Sequence, residues 1–200
     1  VVETSGVALP GSVVASLSLI EGIRPDGIVV LVDAETVVKQ ARDDYIGDTI
    51  TRQLSDAEIV VINKRDLISD SAAQSLALTL SDLAPNAAQI EAAFGTVFLD
   101  AVLGAVAQPS SGGTDSGGHS DRLFDSIAFT PQRRFNAPAL AEQLATGALG
   151  VVRAKGHVAG DDGAIWLLQT VGRRWQAEPV DHQPHPQLVC IGPKGQLRTS

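Results

Sequence analysis

The sequence predicts an α/β protein in which a doubly wound parallel sheet is followed by a small α+β domain. Two short and almost wholly apolar runs, Asp26–Glu35 and Ala57–Asp66, alternate with helix-compatible segments. Such runs are typical of strands that are buried on both faces of a parallel sheet. The second half of the chain combines one helix with several strands of alternating polarity, which indicates an antiparallel sheet.

The first domain is predicted to span residues 1–107. Val1–Val2 is predicted to be the last part of a buried strand, and the two apolar runs supply the strands that follow it. Pro10 suits the first turn of a helix, and Ser69 or Asp70 suits a helix N-cap. The segments predicted to be helical are Ala8–Ile20, Thr36–Ser55, Ser69–Leu83, Pro85–Phe94 and Thr96–Val106.

A stretch rich in Gly and Ser, residues 108–120, separates the two halves and is predicted to be a flexible linker. Residues 121–200 then form the second domain. Its helix is predicted at Asn136–Gly147, where an Asn cap, an early Pro and a terminal Gly coincide. The predicted strands are Arg122–Thr130, Leu149–Val158, Ala164–Gly172, Arg174–Val180 and Gln187–Gly192.

The composition argues against several classes of protein. The 200 residues are 44% hydrophobic, and no apolar run approaches the roughly 20 residues of a membrane helix. A single cysteine, Cys190, excludes an internal disulfide framework and favours a reducing, cytoplasmic location. The net charge of −8 argues against nucleic acid and anionic membranes as partners. Because the chain has no Met and opens inside a predicted strand, we expect it to be part of a longer sequence.

The tetrapeptide Asn63-Lys64-Arg65-Asp66 directly follows the second apolar run. In open α/β sheets, ligands bind at the edge formed by the carboxyl ends of the strands. An Asp carboxylate accepts two parallel hydrogen bonds, and guanine presents its N1–H and 2-amino group side by side. Adenine lacks this pair of donors and would leave the carboxylate unpaired. We therefore interpret Asn63, Lys64 and Asp66 as a guanine site, with a solvated polar loop as the alternative.

A second motif, Val1-Val2-Glu3-Thr4-Ser5-Gly6, opens the sequence. A carboxylate directly after an apolar strand is where nucleotide hydrolases hold magnesium, which points to Glu3. The small side chains and permissive backbone of Thr4, Ser5 and Gly6 suit a segment that senses a γ-phosphate. The alternative is a strand end with a capping hydroxyl before the next helix.

Together these motifs resemble the CobW-type P-loop GTPases, whose relatives act in urease and hydrogenase maturation. The resemblance rests on "ETSGVALP", "DGIVVLVDAE" and "QLSDAEIVVINKRDL", and on "GVVRAKGHV" in the second half, which contains the family's Arg-x-Lys-Gly signature at Arg153, Lys155 and Gly156. It implies that residues 1–107 are the C-terminal part of a P-loop GTPase domain and that residues 121–200 are the CobW C-terminal domain.

The resemblance also implies a function. Glu3 would replace the usual Walker B Asp and organise Mg²⁺, while Asn63, Lys64 and Asp66 would bind the guanine of GTP. GTP hydrolysis would be coupled to the handling of zinc or cobalt and its delivery to a metal-requiring client protein or to cobalamin biosynthesis. The family's phosphate loop and its Cys-x-Cys-Cys metal motif are absent from the sequence, so this chain alone is not expected to hydrolyse GTP.

Two questions stay open at the level of sequence. The chain is the latter part of such a GTPase, a non-catalytic module that docks or regulates a client, or a P-loop protein of another branch with a different C-terminal tail. The oligomeric state is also open, a homo-oligomer included. The metal, which is expected to bind upstream motifs, has no assigned ligands in this chain.

Overall fold

The computed structural model describes residues 1–97, 99–103, 124–181 and 184–198. The chain folds as two compact units, residues 1–97 and 98–200. The predicted linker at 108–120 lies outside the described residues, so the domain boundaries at 107 and 121 stay predictions. Within the described ranges, no helix is both long and apolar enough to cross a membrane.

The first unit is built on a parallel sheet of three strands in the order β1-β2-β3. These strands are β1 (Val29–Asp33), β2 (Ile59–Asn63) and β3 (Ala88–Glu91). The central strand, β2, is buried along its first four residues because it has a hydrogen-bonded neighbour on each side. In the β1–β2 register Asp33 lies opposite Asn63, so the last residues of both strands meet at the carboxyl edge.

Four helices accompany this sheet: α1 (Pro10–Leu17), α2 (Val37–Ala41), α3 (Gly47–Asp56) and α4 (Asp70–Leu83). Pro10 occupies the first turn of α1, and the hydroxyl of Ser69 caps α4 by accepting the N–H of Ala72 at 3.2 Å. One face of the sheet packs on α3 and α4 through a core that includes Val32, Leu54, Val60, Ile62, Leu76 and Leu80.

Three sequence-based expectations about this unit are wrong. Val1–Val2 is exposed and irregular, because no described strand pairs with it. β1 is buried on one face only, since Val29 and Leu31 are 38% and 66% exposed at the edge of the described sheet. Pro85–Phe94 holds strand β3 rather than a helical piece, because pairing with β2 decides the conformation of so short a segment.

The second unit is an antiparallel sheet of five strands in the order β4-β8-β5-β6-β7, with α5 and α6. The short helix α5 is grouped with this unit. The bounds are α5 (Leu99–Leu103), β4 (Phe124–Phe129), α6 (Ala137–Ala145), β5 (Arg153–Ala159), β6 (Ile165–Val171), β7 (Arg174–Val180) and β8 (Gln187–Pro193).

The predicted α+β character of the second unit is confirmed. Asn136 caps α6 by accepting the N–H of Ala139 at 3.0 Å. α6 packs on one face of the sheet, where its Ala and Leu side chains meet apolar residues of β5, β6 and β8. Cys190 is part of this core, and burial raises the pKa of its thiol to about 11. The core residues are Ala137, Ala141, Leu144, Val151, Ala154, Val158, Leu168, Leu188 and Cys190.

Candidate functional site

The tetrapeptide singled out from the sequence lies at the carboxyl end of the central strand. β2 ends at Asn63, and Lys64 then leaves the strand in the left-handed conformation, with φ 61° and ψ 31°. Arg65–Leu67 follows as one turn of 3₁₀ helix that contains Asp66. A left-handed conformation costs a residue with a side chain about 1 kcal/mol, so the surroundings of Lys64 must hold it.

The side chain and backbone of Asn63 join three segments at this edge. Its Oδ1 accepts the N–H of Gly95 at 3.0 Å, and its backbone carbonyl accepts the N–H of Ala34, also at 3.0 Å. Arg65 adds a third link, since its N–H donates to the carbonyl of Ala92 at 3.0 Å. The segments after β1, β2 and β3 are therefore fastened together around Asn63.

Lys64 is held by the carboxylate that ends the neighbouring strand. Its Nζ lies 2.6 Å from Oδ2 of Asp33, while Oδ1 of Asp33 accepts the N–H of Glu35 at 2.9 Å. The hydrogen bond from Lys64 is the main cause that lowers the pKa of Asp33, and the hydrogen bond to Asp33 is the main cause that raises the pKa of Lys64. Both groups therefore stay charged, and the Lys64 ammonium is fixed at the ends of β1 and β2.

Arg65 braces the same loop from the other side. Its Nη1 donates to the carbonyl of Ile68 at 3.0 Å, and its Nη2 pairs with the carboxylate of Asp70. Its Nε lies 3.2 Å from Oε1 of Glu91, which is an ion-pair distance without hydrogen-bond geometry. The pKa of Arg65 is raised, chiefly by the hydrogen bond to Asp70. The Arg65 side chain thus stabilises the loop by joining it to the start of α4.

Asp66 differs from its neighbours because its carboxylate is exposed and unengaged. No hydrogen bond or ion pair joins it to any other residue that the structure describes. The loop around it is braced by Asn63, Lys64 and Arg65, so an acceptor group is presented on a fixed backbone. This arrangement fits the acceptor of two parallel donors predicted from the sequence.

Within the part of the chain that the structure describes, the second predicted motif, Glu3–Gly6, is held by fewer hydrogen bonds than the first. Glu3 is exposed in an irregular segment, and Thr4 is half-buried. The amide group of Gln53, on α3, donates to the carbonyls of Gly6 and Ala8 at 3.0 and 2.9 Å. Ser5 contributes a turn by accepting the N–H of Ala8 at 3.0 Å.

These two motifs are not joined by contacts. Among the described residues, no hydrogen bond or ion pair connects the Glu3–Gly6 segment to Asn63, Lys64 or Asp66. The oxygen donors of Glu3, Thr4 and Ser5 do suit Mg²⁺, which binds one or two carboxylates and keeps several waters.

In the second unit, Arg153 and Gly156 serve structural roles. Arg153 is 3% exposed, and its Nη1 donates to the carbonyl of Val102 at 3.3 Å. A Cβ on Gly156 would lie 2.0 Å from the carbonyl oxygen of Gln187, so only glycine fits between β5 and β8. Across the described ranges, no group of three or more His, Cys, Asp or Glu side chains lies close enough to hold a metal ion.

Sequence reasoning missed two features at the carboxyl edge of the parallel sheet. The pairing of Lys64 with Asp33 depends on the β1–β2 register, and its only sequence signal is that Asp33 ends the first apolar run. The loop after β3, which contains Phe94 and Gly95, is not predicted by the sequence, because Pro85–Phe94 is expected to be helical.

Comparison with known proteins gives matches for both units. Residues 1–91 match the sequence profile of the "CobW/HypB/UreG, nucleotide-binding domain" family. Residues 124–198 match that of the "Cobalamin synthesis protein cobW C-terminal domain". The zinc-regulated GTPase metalloprotein activator 1 of Schizosaccharomyces pombe is 30% identical over 99 residues, which are 48% of this chain and 24% of that protein.

Among solved structures, the Zn(II)-bound YjiA GTPase from E. coli is similar to this chain with a TM-score of 0.43 and 20% sequence identity. The similarity covers 94% of this chain and 64% of that one, and a Zn(II)-bound triple mutant of YjiA gives the same values. This chain therefore spans less than two thirds of the length of these relatives. The two sequence profiles match most of the chain, in the order in which its two units occur. The chain belongs to the CobW-like family, with residues 1–91 matching its nucleotide-binding domain and residues 124–198 its C-terminal domain.

Proposed function

We propose that this chain supplies the base-recognising part of a GTP site, in a GTPase that couples nucleotide hydrolysis to transition-metal handling. The metal is zinc or cobalt, and it is delivered as cargo to metal-requiring client proteins or to cobalamin biosynthesis. Membership of the CobW-like family supports the nucleotide part of the proposal. The name of the S. pombe relative, a zinc-regulated GTPase metalloprotein activator, supports the metal part.

One observation carries the guanine assignment. The Asp66 carboxylate is exposed and has no partner among the described residues, while the residues around it are braced by hydrogen bonds and ion pairs. A bound guanine would satisfy this acceptor through its N1–H and 2-amino group. Adenine would leave it desolvated and unpaired, which costs about 1–3 kcal/mol. The site therefore selects guanine because binding of adenine would leave the Asp66 carboxylate desolvated without a hydrogen-bond donor.

The neighbouring residues have separate tasks in this proposal. Asn63 keeps the loop after β3 in place through Gly95, and Asp33 holds the ammonium of Lys64. The aliphatic stem of Lys64 then covers one side of the base, as long charged side chains do on apolar surfaces. Glu3 would organise Mg²⁺, which neutralises phosphate charge when bound, and Thr4, Ser5 and Gly6 would respond to the γ-phosphate.

The proposal requires a phosphate loop, and the 200 residues contain no Gly-x-x-Gly-x-Gly-Lys-Thr motif. Without backbone amides and a Lys around the phosphates, most of the binding energy of a triphosphate is missing. We therefore expect calorimetry to detect negligible GTP binding by this chain. A phosphate-loop-bearing version, in which the loop segment of a CobW-type relative precedes Val1, is expected to bind GTP in the presence of Mg²⁺.

The competing nucleotide provides the control for that titration. ATP shares the triphosphate and Mg²⁺ but not the paired donors of guanine, so its affinity for the phosphate-loop-bearing version is expected to be about 5- to 150-fold weaker. Equal binding of ATP and GTP would contradict the assignment of Asp66. Tight GTP binding by the 200-residue chain itself would contradict the proposed need for a phosphate loop.

A further inference from the structure

The loop after β3 carries an aromatic ring in an unusual conformation. Phe94 has φ 54° and Gly95 has φ 70°, so two successive residues are left-handed. The turn is closed by the N–H of Thr96, which donates to the carbonyl of Ala93 at 2.9 Å. A bulky residue rarely adopts this conformation, and such strain is concentrated at functional sites. Here the strained residue is also 88% exposed, so burial in the core does not explain it.

The same loop is fastened to the guanine motif on both sides of Phe94. On one side, the carbonyl of Ala92 accepts the N–H of Arg65 at 3.0 Å. On the other side, the N–H of Gly95 donates to Oδ1 of Asn63 at 3.0 Å. Phe94 is therefore held at the carboxyl edge of the sheet, next to the segment that presents the predicted base-recognising groups.

We propose that Phe94 stacks on the face of the bound purine and so completes the base site. This proposal rests on the proposed function of Asn63, Lys64 and Asp66. An exposed aromatic ring offers a flat apolar surface, and every purine has a matching π-face. The anchored, left-handed backbone fixes the attachment point of the ring, so only the two side-chain torsions of Phe94 need to be ordered on binding.

Stacking and hydrogen bonding contribute differently to recognition. A ring that stacks on the base increases affinity for every purine, because it does not read the donors and acceptors at the base edge. The carboxylate of Asp66 does read them, so it determines the ratio of affinities among purines. Phe94 should therefore change the affinity without changing the selectivity.

The test compares three Phe94 variants and one control variant of the phosphate-loop-bearing version. Each is titrated with GTP and with inosine triphosphate, which lacks the 2-amino group. Phe94→Ala and Phe94→Leu are expected to weaken binding of both nucleotides by the same factor, about tenfold. Phe94→Tyr keeps the ring and is expected to stay within about twofold of the parent. Tyr45→Ala is the matched control, because Tyr45 is another exposed aromatic and lies in the segment between α2 and α3.

The outcomes separate this proposal from the one on which it rests. If Phe94→Leu binds both nucleotides as the parent does, or if the two affinities change by different factors, stacking by Phe94 is refuted. If Asp66→Asn still shifts preference from GTP towards xanthosine triphosphate in that case, the guanine site stands without Phe94. If the parent binds no GTP, both proposals fail. Thermal unfolding of each variant shows whether any loss of affinity comes from misfolding.

Discussion

The two predicted halves of the nucleotide site differ in how firmly the chain holds them. Asn63 ends a central strand that is paired on both sides, and Lys64 and Asp66 directly follow that strand. The segment from Glu3 to Gly6 is fastened by the side chain of Gln53 and by one turn. The first motif is therefore held by strand pairing and a buried core, and the second is held by a few exposed or half-buried hydrogen bonds.

The largest expected effect comes from weakening the strand that carries the first motif. Ile62→Ala removes a buried side chain from the core between β2 and the helices, and a substitution of this kind costs about 2–5 kcal/mol of stability. Urea unfolding of the first unit should show this loss. Val2→Ala is the matched control at the other motif, and no measurable change is expected because Val2 is exposed. Equal losses of unfolding free energy in the two variants would contradict the claim that the first motif is held more firmly than the second.

A smaller effect is expected when the link between two loops is removed. Asn63→Ala leaves the N–H of Gly95 without its acceptor, which costs about 1 kcal/mol. Asn63→Asp keeps an acceptor oxygen at this position and should retain most of the stability. Amide exchange at Gly95 is the measurement. Unchanged protection of Gly95 in Asn63→Ala would show that the side chain of Asn63 does not hold the loop.

The loosely held segment offers a complementary test. Gln53→Ala removes both side-chain hydrogen bonds to the carbonyls of Gly6 and Ala8. We expect the amide of Ala8 to exchange up to about tenfold faster, with no change at Gly95. Gln40→Ala, an exposed Gln on α2, is the control. Faster exchange at both loops would mean that the two motifs are coupled.

The smallest effect concerns the ion pair between Asp33 and Lys64, which is partly exposed. The pKa of Asp33 is lowered from 3.8 in the folded protein. The charged carboxylate therefore contributes to the free energy of unfolding above pH 3.8, and this contribution is lost as the pH falls through the pKa of the folded protein. The pKa of Lys64 is raised from 10.5 in the folded protein. The charged ammonium therefore contributes to the free energy of unfolding below pH 10.5, and this contribution is lost as the pH rises through the pKa of the folded protein.

The stability difference between the parent and Asp33→Asn should therefore be constant from about pH 5 to pH 9 and shrink in acid. Urea unfolding midpoints of both proteins at several pH values provide the measurement. A difference that grows as the pH falls below 3.8 would have the wrong sign for this ion pair.

The sequence was sufficient to place the first motif because four consecutive apolar and β-branched residues, Ile59–Ile62, favour a buried strand at this point. Two residues at Val1–Val2 are too few to specify a strand, since pairing with neighbours decides whether one forms. β3 was missed for a related reason, because Ala88–Glu91 is short and of mixed composition. The pairing of Asp33 with Lys64 and the display of Phe94 arise from strand register and loop conformation, which local composition does not encode.

The central claim is that the carboxylate of Asp66 recognises guanine. The most direct test measures the affinities of the phosphate-loop-bearing version for GTP and xanthosine triphosphate, before and after Asp66→Asn. Asn replaces one acceptor by a donor, which complements the 2-oxo group of xanthine, so the preference for GTP is expected to invert. Asp82→Asn makes the same charge change at an exposed position on α4 and should leave the preference unaltered. An Asp66→Asn variant that keeps the parent ratio of the two affinities would contradict the claim.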